Sequence, residues 1–134
     1  MADGTETLVT VLRDAGGESL RDAWAFDETG YESVYLREDV AERVERIDVD
    51  RYIDNERYGY VTRETYESLH YTEYSYTVRG FEDFVQFRTF LETGDGNRVG
   101  VMASFDADAN PDFRALTRRL TEVTRDATVV IDPA

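Results

Sequence analysis

The sequence predicts an α+β fold in which helices pack on a five-stranded antiparallel sheet, all within a single domain spanning residues 1–134. Several segments alternate apolar and polar residues with period two between turn residues, which is typical of antiparallel strands. Other segments repeat apolar residues at helical spacing. A chain of 134 residues has the length of one domain, so we expect these strands and helices to share one core.

The N-terminal part predicts a helix followed by a β-hairpin. Leu8, Val11 and Leu12 recur at helical spacing, and a glycine pair at 16–17 suits the end of that helix. Residues 21–26 and 31–36 are rich in aromatic and β-branched side chains and flank a short turn. They are expected to form the first two strands.

Two short helices are predicted over residues 38–57. The apolar residues before and after Asp48 follow two stripes that are out of phase, so the helix should break near that residue. The pattern over residues 58–70 is compatible with either a helix or a loop.

The second half of the chain predicts a three-stranded antiparallel meander. Residues 73–79, 84–92 and 99–105 alternate with period two and are joined by glycine-containing turns. This register places Phe87 and Val101 on one helix-covered face.

The last predicted helix begins at Asn110-Pro111, because an N-cap side chain precedes proline at the first helical position. Residues 128–131 fit either an edge strand or a packed tail. The predicted order is α-β-β-α-β-β-β-α with this optional C-terminal strand. In topology it resembles the roadblock and profilin-like folds, a resemblance that says little about activity.

Charge indicates the solvent in which the protein works. The chain carries 29 acidic residues and a net charge of −14, and all 15 basic residues are arginine. The acids are spread over the whole chain, as expected for a protein that works in molar salt, where screening is strong. An acidic patch for a basic partner is the alternative interpretation. No apolar run is long enough to span a membrane and no leader is recognisable, so a cytoplasmic protein is expected.

The sequence contains no recognisable catalytic, cofactor-binding or metal-binding constellation. The absence of Cys and Lys excludes thiolate and Schiff-base chemistry, and His70 is the only imidazole available as a general base. Asp106 and Asp108 open an EF-hand-like pattern, but Pro111 and Thr117 occupy positions that need Gly and Glu. Whether they hold a weak cation site stays open, and no enzyme activity or cofactor is predicted.

Nucleic-acid binding is not favoured, although it stays an alternative. The final helix carries an arginine set that could neutralise phosphates, but the whole domain is strongly acidic. The set comprises Arg114, Arg118, Arg119 and Arg125.

A tyrosine cluster is the strongest local feature. Seven of the nine tyrosines lie between residues 52 and 76. Tyrosine and arginine are enriched at protein interfaces, which makes this segment a candidate homodimer interface. A half-buried wall of the core is the alternative interpretation. The candidate interface residues are Arg57, Tyr58, Tyr60, Arg63 and Tyr66.

The chain also resembles a family of small uncharacterised haloarchaeal proteins. The segments that carry the resemblance are 35–39 (YLRED), 55–59 (NERYG) and 76–82 (YTVRGFE). The resemblance implies a haloarchaeal cytoplasm and carries over no catalytic or binding residue.

These observations lead to one main hypothesis and two alternatives. The main hypothesis is a non-catalytic interaction module, an adaptor or regulator that binds a protein partner and forms a homodimer. The first alternative is a small-ligand sensor or a carboxylate-based enzyme with a pocket between sheet and helices. The second alternative is a nucleic-acid-associated regulator.

Overall fold

The computed structural model describes residues 4–125, apart from the side chains of Tyr60 and Val61. Within this range, five helices and five strands follow one another in the chain. The helices are α1 (Gly4–Gly16), α2 (Glu38–Val44), α3 (Val49–Arg57), α4 (Gly59–His70) and α5 (Phe113–Arg125). The strands are β1 (Leu20–Phe26), β2 (Tyr31–Leu36), β3 (Thr77–Gly80), β4 (Phe84–Glu92) and β5 (Arg98–Asp106).

The strands form one antiparallel sheet in the order β2-β1-β5-β4-β3. The β1–β2 hairpin and the β3–β4–β5 meander are joined where β1 pairs with β5. The predicted α+β class, five-stranded sheet and order of elements are therefore confirmed, with α2, α3 and α4 together occupying the place of the middle helix. The suggested strand at 128–131 lies outside the described residues.

Helices cover both faces of the sheet, and each face has its own apolar cluster. On the first face, α1 and α5 pack on a cluster that contains Phe87, Val101 and Phe105, which confirms the predicted shared face of Phe87 and Val101. On the second face, Ile53 of α3 packs with Trp24 and other apolar residues of the sheet. The sheet is thus the middle of three layers.

Local capping explains where several helices begin and end. Gly17 is the first residue after α1 and has a positive φ of 57°. Helices commonly end with a residue in this left-handed conformation, which glycine adopts without steric cost. The predicted break near Asp48 is confirmed, because the Asp48 side chain caps α3 by accepting from the Arg51 N–H at 3.1 Å. Helix α5 begins later than predicted because Asp112, not Asn110, accepts from the Ala115 N–H.

Strand β3 is shorter than predicted and begins at Thr77 instead of residue 73. The segment before it is held by side chains: the Tyr74 N–H donates to Glu67, and the Ser75 carbonyl accepts from Thr89 Oγ1. Tyr74 packs on the second-face cluster and Tyr76 on the first-face cluster, so the period-two alternation predicted for residues 73–79, which would place both on one face, was wrong for this part.

No helix within residues 4–125 combines the length and the apolar character that crossing a membrane requires.

Candidate functional site

The candidate interface segment is the junction between α3 and α4. Gly59 makes this junction possible, because a Cβ atom there would lie 2.6 Å from Phe90 Cζ and 2.9 Å from Arg88 Cζ. The start of α4 therefore lies directly on the second face of the sheet. Residues 58–70, for which the sequence left helix and loop open, continue as helix α4 apart from Tyr58 at its N-cap.

The two candidate arginines contact the β1–β2 turn and the second face of the sheet. Arg57 Nε donates to the Asp27 carbonyl at 2.8 Å, and Arg57 Nη2 donates to the Gly30 carbonyl at 3.0 Å. These bonds fasten the β1–β2 turn to the end of α3. The half-buried Arg63 guanidinium lies 5.8 Å from the centre of the Phe90 ring. Both arginines thus attach the α3–α4 region to the rest of the fold, Arg57 through the β1–β2 turn and Arg63 through Phe90.

The tyrosines of this segment point outward where the structure describes them. Tyr58 is 70% exposed and Tyr66 is 53% exposed, and Leu69 on the same side of α4 is 65% exposed. The side chain of Tyr60 lies outside the described part. With Thr62 and Thr65, which are also exposed, these residues form one stripe at helical spacing. We call the set Tyr58, Thr62, Thr65, Tyr66 and Leu69 the α4 outer face.

The α4 outer face contains no charged residue. Its members are aromatic, aliphatic or hydroxyl-bearing, whereas 29 of the 134 residues of the chain are acidic. Exposed apolar surface that is contiguous often marks a contact with another protein. The stripe therefore has the composition of an interface core on an otherwise acidic protein.

An open groove of about 790 Å³ continues this surface along α3. Tyr58 stands at one side of the groove, while Ile47 and Tyr52 contribute further apolar surface. Charged side chains of α3 and of its N-cap, such as Arg51 and Asp48, also line the groove. The apolar area is thus wider than the helix stripe alone.

Between α3 and the sheet lies a buried ion cluster that no local sequence pattern predicts. Glu56 is 1% exposed; its Oε1 accepts from Arg88 Nη1 at 2.9 Å and its Oε2 accepts from Arg79 Nη1 at 2.8 Å. The bond to Glu56 raises the pKa of Arg79. A buried carboxylate that accepts hydrogen bonds from two guanidinium groups is a paired ion, and this pairing joins α3 to strands β3 and β4.

Polar bonds extend this cluster across the sheet. Gln86 Oε1 accepts from Arg79 at 3.0 Å, and Gln86 Nε2 donates to the Tyr52 hydroxyl at 2.7 Å. Burial, followed by the charges of Asp22 and Glu56, raises the pKa of Tyr52 far above its ordinary value. The Tyr52 phenol is therefore neutral and serves as a hydrogen-bond partner.

The other sequence candidates lie apart from this surface or are engaged elsewhere. His70 is the exposed last residue of α4, with its ring 6.4 Å from that of Tyr66. Both oxygens of Asp106 accept from Arg37, at 2.8 and 2.9 Å, so a guanidinium occupies the place that the EF-hand-like pattern would give to a cation. In the part of the chain that the structure describes, no three acidic or histidine side chains converge as metal ligands would.

The arginines of α5 are exposed where they are described, but they do not form an isolated basic stripe. Arg119 pairs with Asp14 of α1 at 3.1 Å, so an acid from the neighbouring helix offsets its charge.

Comparison with known proteins identifies one family. A family model described as a domain of unknown function (DUF7522) matches residues 6–125. No curated protein and no solved structure matches the chain.

Proposed function

Since the chain belongs to the family of the domain of unknown function DUF7522, we propose a function from the character of its exposed surface. The protein is a non-catalytic interaction module, an adaptor or regulator that forms a homodimer through the α4 outer face. The observation that carries the proposal is the uncharged aromatic stripe on an acidic protein. The composition further supports a halophilic, haloarchaeal cytoplasm as its environment, because dispersed acids without lysine suit molar salt.

A second copy of the chain is the partner that best suits this stripe. Contact between two acidic surfaces is unfavourable wherever carboxylates face each other, and the α4 outer face avoids this. A two-fold axis near the middle of α4 would pair the helices antiparallel and bring Tyr58 of one copy to Leu69 of the other. A stable interface buries roughly 800 Å² per partner, which the stripe and the adjoining α3 groove could supply together.

Tyr58 and Tyr66 are the expected anchors of the dimer. Truncating aromatic anchors at the centre of an interface often costs ~2 kcal/mol or more of binding free energy. We expect the double variant Tyr58→Ala/Tyr66→Ala to be monomeric and folded, measured by light scattering and circular dichroism in molar KCl.

The matched control is Phe81→Ala, which removes another exposed aromatic ring at the β3–β4 turn. It should leave the dimer intact. A monomeric parent protein, or a double variant that stays dimeric, would contradict the proposal. If the double variant unfolds, these tyrosines stabilise the monomer fold and the interface assignment fails.

A further inference from the structure

A cavity of about 230 Å³ lies between α2 and the second face of the sheet. Apolar side chains form most of its wall, from Val40 and Val44 on the helix side and from Trp24 and Phe84 on the sheet side. Polar groups of the sheet, including Arg21 and Ser104, also line it. An apolar cavity with a few polar groups is the usual form of a small-molecule site.

A β-bulge brings two consecutive charged residues to this cavity. In the β1–β5 register, Leu20 pairs with Phe105 and Asp22 pairs with Ser104, which leaves Arg21 as the extra residue. In a regular strand, neighbouring side chains point to opposite faces. Here Arg21 and Asp22 line the same cavity, in agreement with the way bulges redirect side chains beside functional sites.

The Arg21 side chain is nine-tenths buried, and its guanidinium is only partly paired. Its side chain is 9% exposed, and its Cζ lies 4.4 Å from the centre of the Phe84 ring. Among the described residues it makes one hydrogen bond, from Nη1 to Ser104 Oγ at 3.2 Å. Its Nε lies 4.0 Å from Asp106, whose carboxylate is already held by Arg37. Donor capacity therefore remains on a buried cation.

The one acid of the cavity wall, Asp22, bonds to Ser104 and not to Arg21. Asp22 Oδ1 accepts from the Ser104 N–H at 3.1 Å and from Ser104 Oγ at 2.7 Å. Arg43 of α2 adds a second positive charge to the lining. The cavity is thus more basic than acidic, although the whole chain carries −14. A cation on a largely buried side chain is stabilised when an anion pairs with it.

We infer that this cavity binds a small organic monocarboxylate. The carboxylate accepts hydrogen bonds from Arg21, while the apolar body packs against Trp24, Val44 and Phe84. At ~30 Å³ for each water in the liquid, the cavity has the volume of about eight waters. This size suits a ligand of roughly ten non-hydrogen atoms, such as an aryl acetate. The inference does not rest on the proposed dimer, because no residue of the α4 outer face takes part, although Ile47 and Tyr52 line both this cavity and the α3 groove.

Trp24 offers a direct readout, because it is the single tryptophan of the chain and lines the cavity. We expect phenylacetate, titrated in molar KCl, to change the Trp24 fluorescence in a saturable way. Phenylacetamide, which has the same shape without the charge, should bind about tenfold more weakly or worse, since charged hydrogen bonds are the stronger ones. Equal binding of the two compounds, or no saturable change with phenylacetate, overturns the inference.

Two variants and a control complete the test. Arg21→Gln should weaken phenylacetate binding about tenfold or more, and Arg114→Gln on the exposed side of α5 should leave it unchanged. If Arg21→Gln fails to fold, Val44→Phe replaces it in the test, because it fills the cavity while retaining the guanidinium. Phenylacetate binding to Val44→Phe should then be weaker than binding to the parent protein. Folded Val44→Phe or Arg21→Gln protein that binds phenylacetate as tightly as the parent rejects the site.

Discussion

Glu56 has both carboxylate oxygens bonded to guanidinium groups in a place that solvent does not reach. The substitution Glu56→Gln keeps the shape of the side chain but removes its charge, which leaves Arg88 buried without a counter-ion. Removing one partner of a buried ion pair typically costs ~3–5 kcal/mol. We expect the free energy of unfolding, measured by urea titration in molar KCl, to fall by about this amount.

Glu64→Gln is the matched control for this measurement. Glu64 is exposed and its carboxylate lies 3.9 Å from Arg98, so the pair is a surface contact. Such pairs contribute about 0–1 kcal/mol. If Glu56→Gln costs no more than Glu64→Gln, the buried cluster does not stabilise the attachment of α3 to the sheet.

The Arg37–Asp106 ion pair makes the free energy of unfolding depend on pH in the acid range. The hydrogen bonds that Arg37 donates to Asp106 lower the pKa of Asp106 below the ordinary value near 3.9. The unfolded state therefore binds the proton first, and the contribution of the pair is complete above about pH 4 and declines as the pH falls. Asp106→Asn should remove this contribution, so urea titrations should show parent and variant converging in stability below about pH 4.

Arg37→Gln provides an independent check, because it removes the other member of the pair. It should reproduce the convergence at acid pH. Parallel stability curves of parent and variants from pH 3 to pH 7 would show that the pair contributes equally in both protonation states.

At the scale of single residues, the sequence located the exposed tyrosines but not the roles of the arginines. Tyr58 and Tyr66 stood out by composition, and both are exposed. Arg57 binds carbonyl groups of the β1–β2 turn, roughly thirty residues earlier in the chain, and no local pattern encodes that contact. The same holds for Arg21, since its orientation depends on a bulge that the sequence does not signal.

At the scale of elements, strands with a strict period of two were predictable. Strand β4 matches the predicted range 84–92, and its faces alternate as expected, with Phe87 and Leu91 in the first-face cluster and Phe90 in the second-face cluster. Helix α4 was not predictable, because it begins at a glycine and carries β-branched and aromatic residues of low helix propensity. Packing of Gly59 on Arg88 and Phe90 fixes its position.

The register of β4 can be tested at Phe87, which is fully buried opposite Ala103 of β5. Truncating a buried phenylalanine typically costs ~3–5 kcal/mol. We expect Phe87→Ala to lower the free energy of unfolding by about this amount. Phe81→Ala, at a half-exposed ring, should cost far less. A loss below about 1 kcal/mol at Phe87 would place β4 one residue out of register, since such a slip exchanges its two faces.

At the scale of the whole molecule, net charge should couple stability to salt. The Debye length is about 3 Å in 1 M salt and about 10 Å in 0.1 M salt, so the repulsion within a chain of net charge −14 is screened only in concentrated salt. We expect the melting temperature to rise steeply between tens of millimolar and molar KCl, with NaCl giving the same trend. An unchanged melting temperature would contradict the halophilic interpretation.

The arrangement of the sheet has a kinetic consequence. Strand β1 pairs with its neighbour β2 in the chain, but also with β5, as in the bond between Asp22 and Ser104, which are 82 residues apart. Contacts of such long range raise the contact order and slow folding, because a large loop must close before they form. The β1–β5 pair, and with it the Arg21 bulge, is therefore expected to form late, after the helices and the three local hairpins β1–β2, β3–β4 and β4–β5.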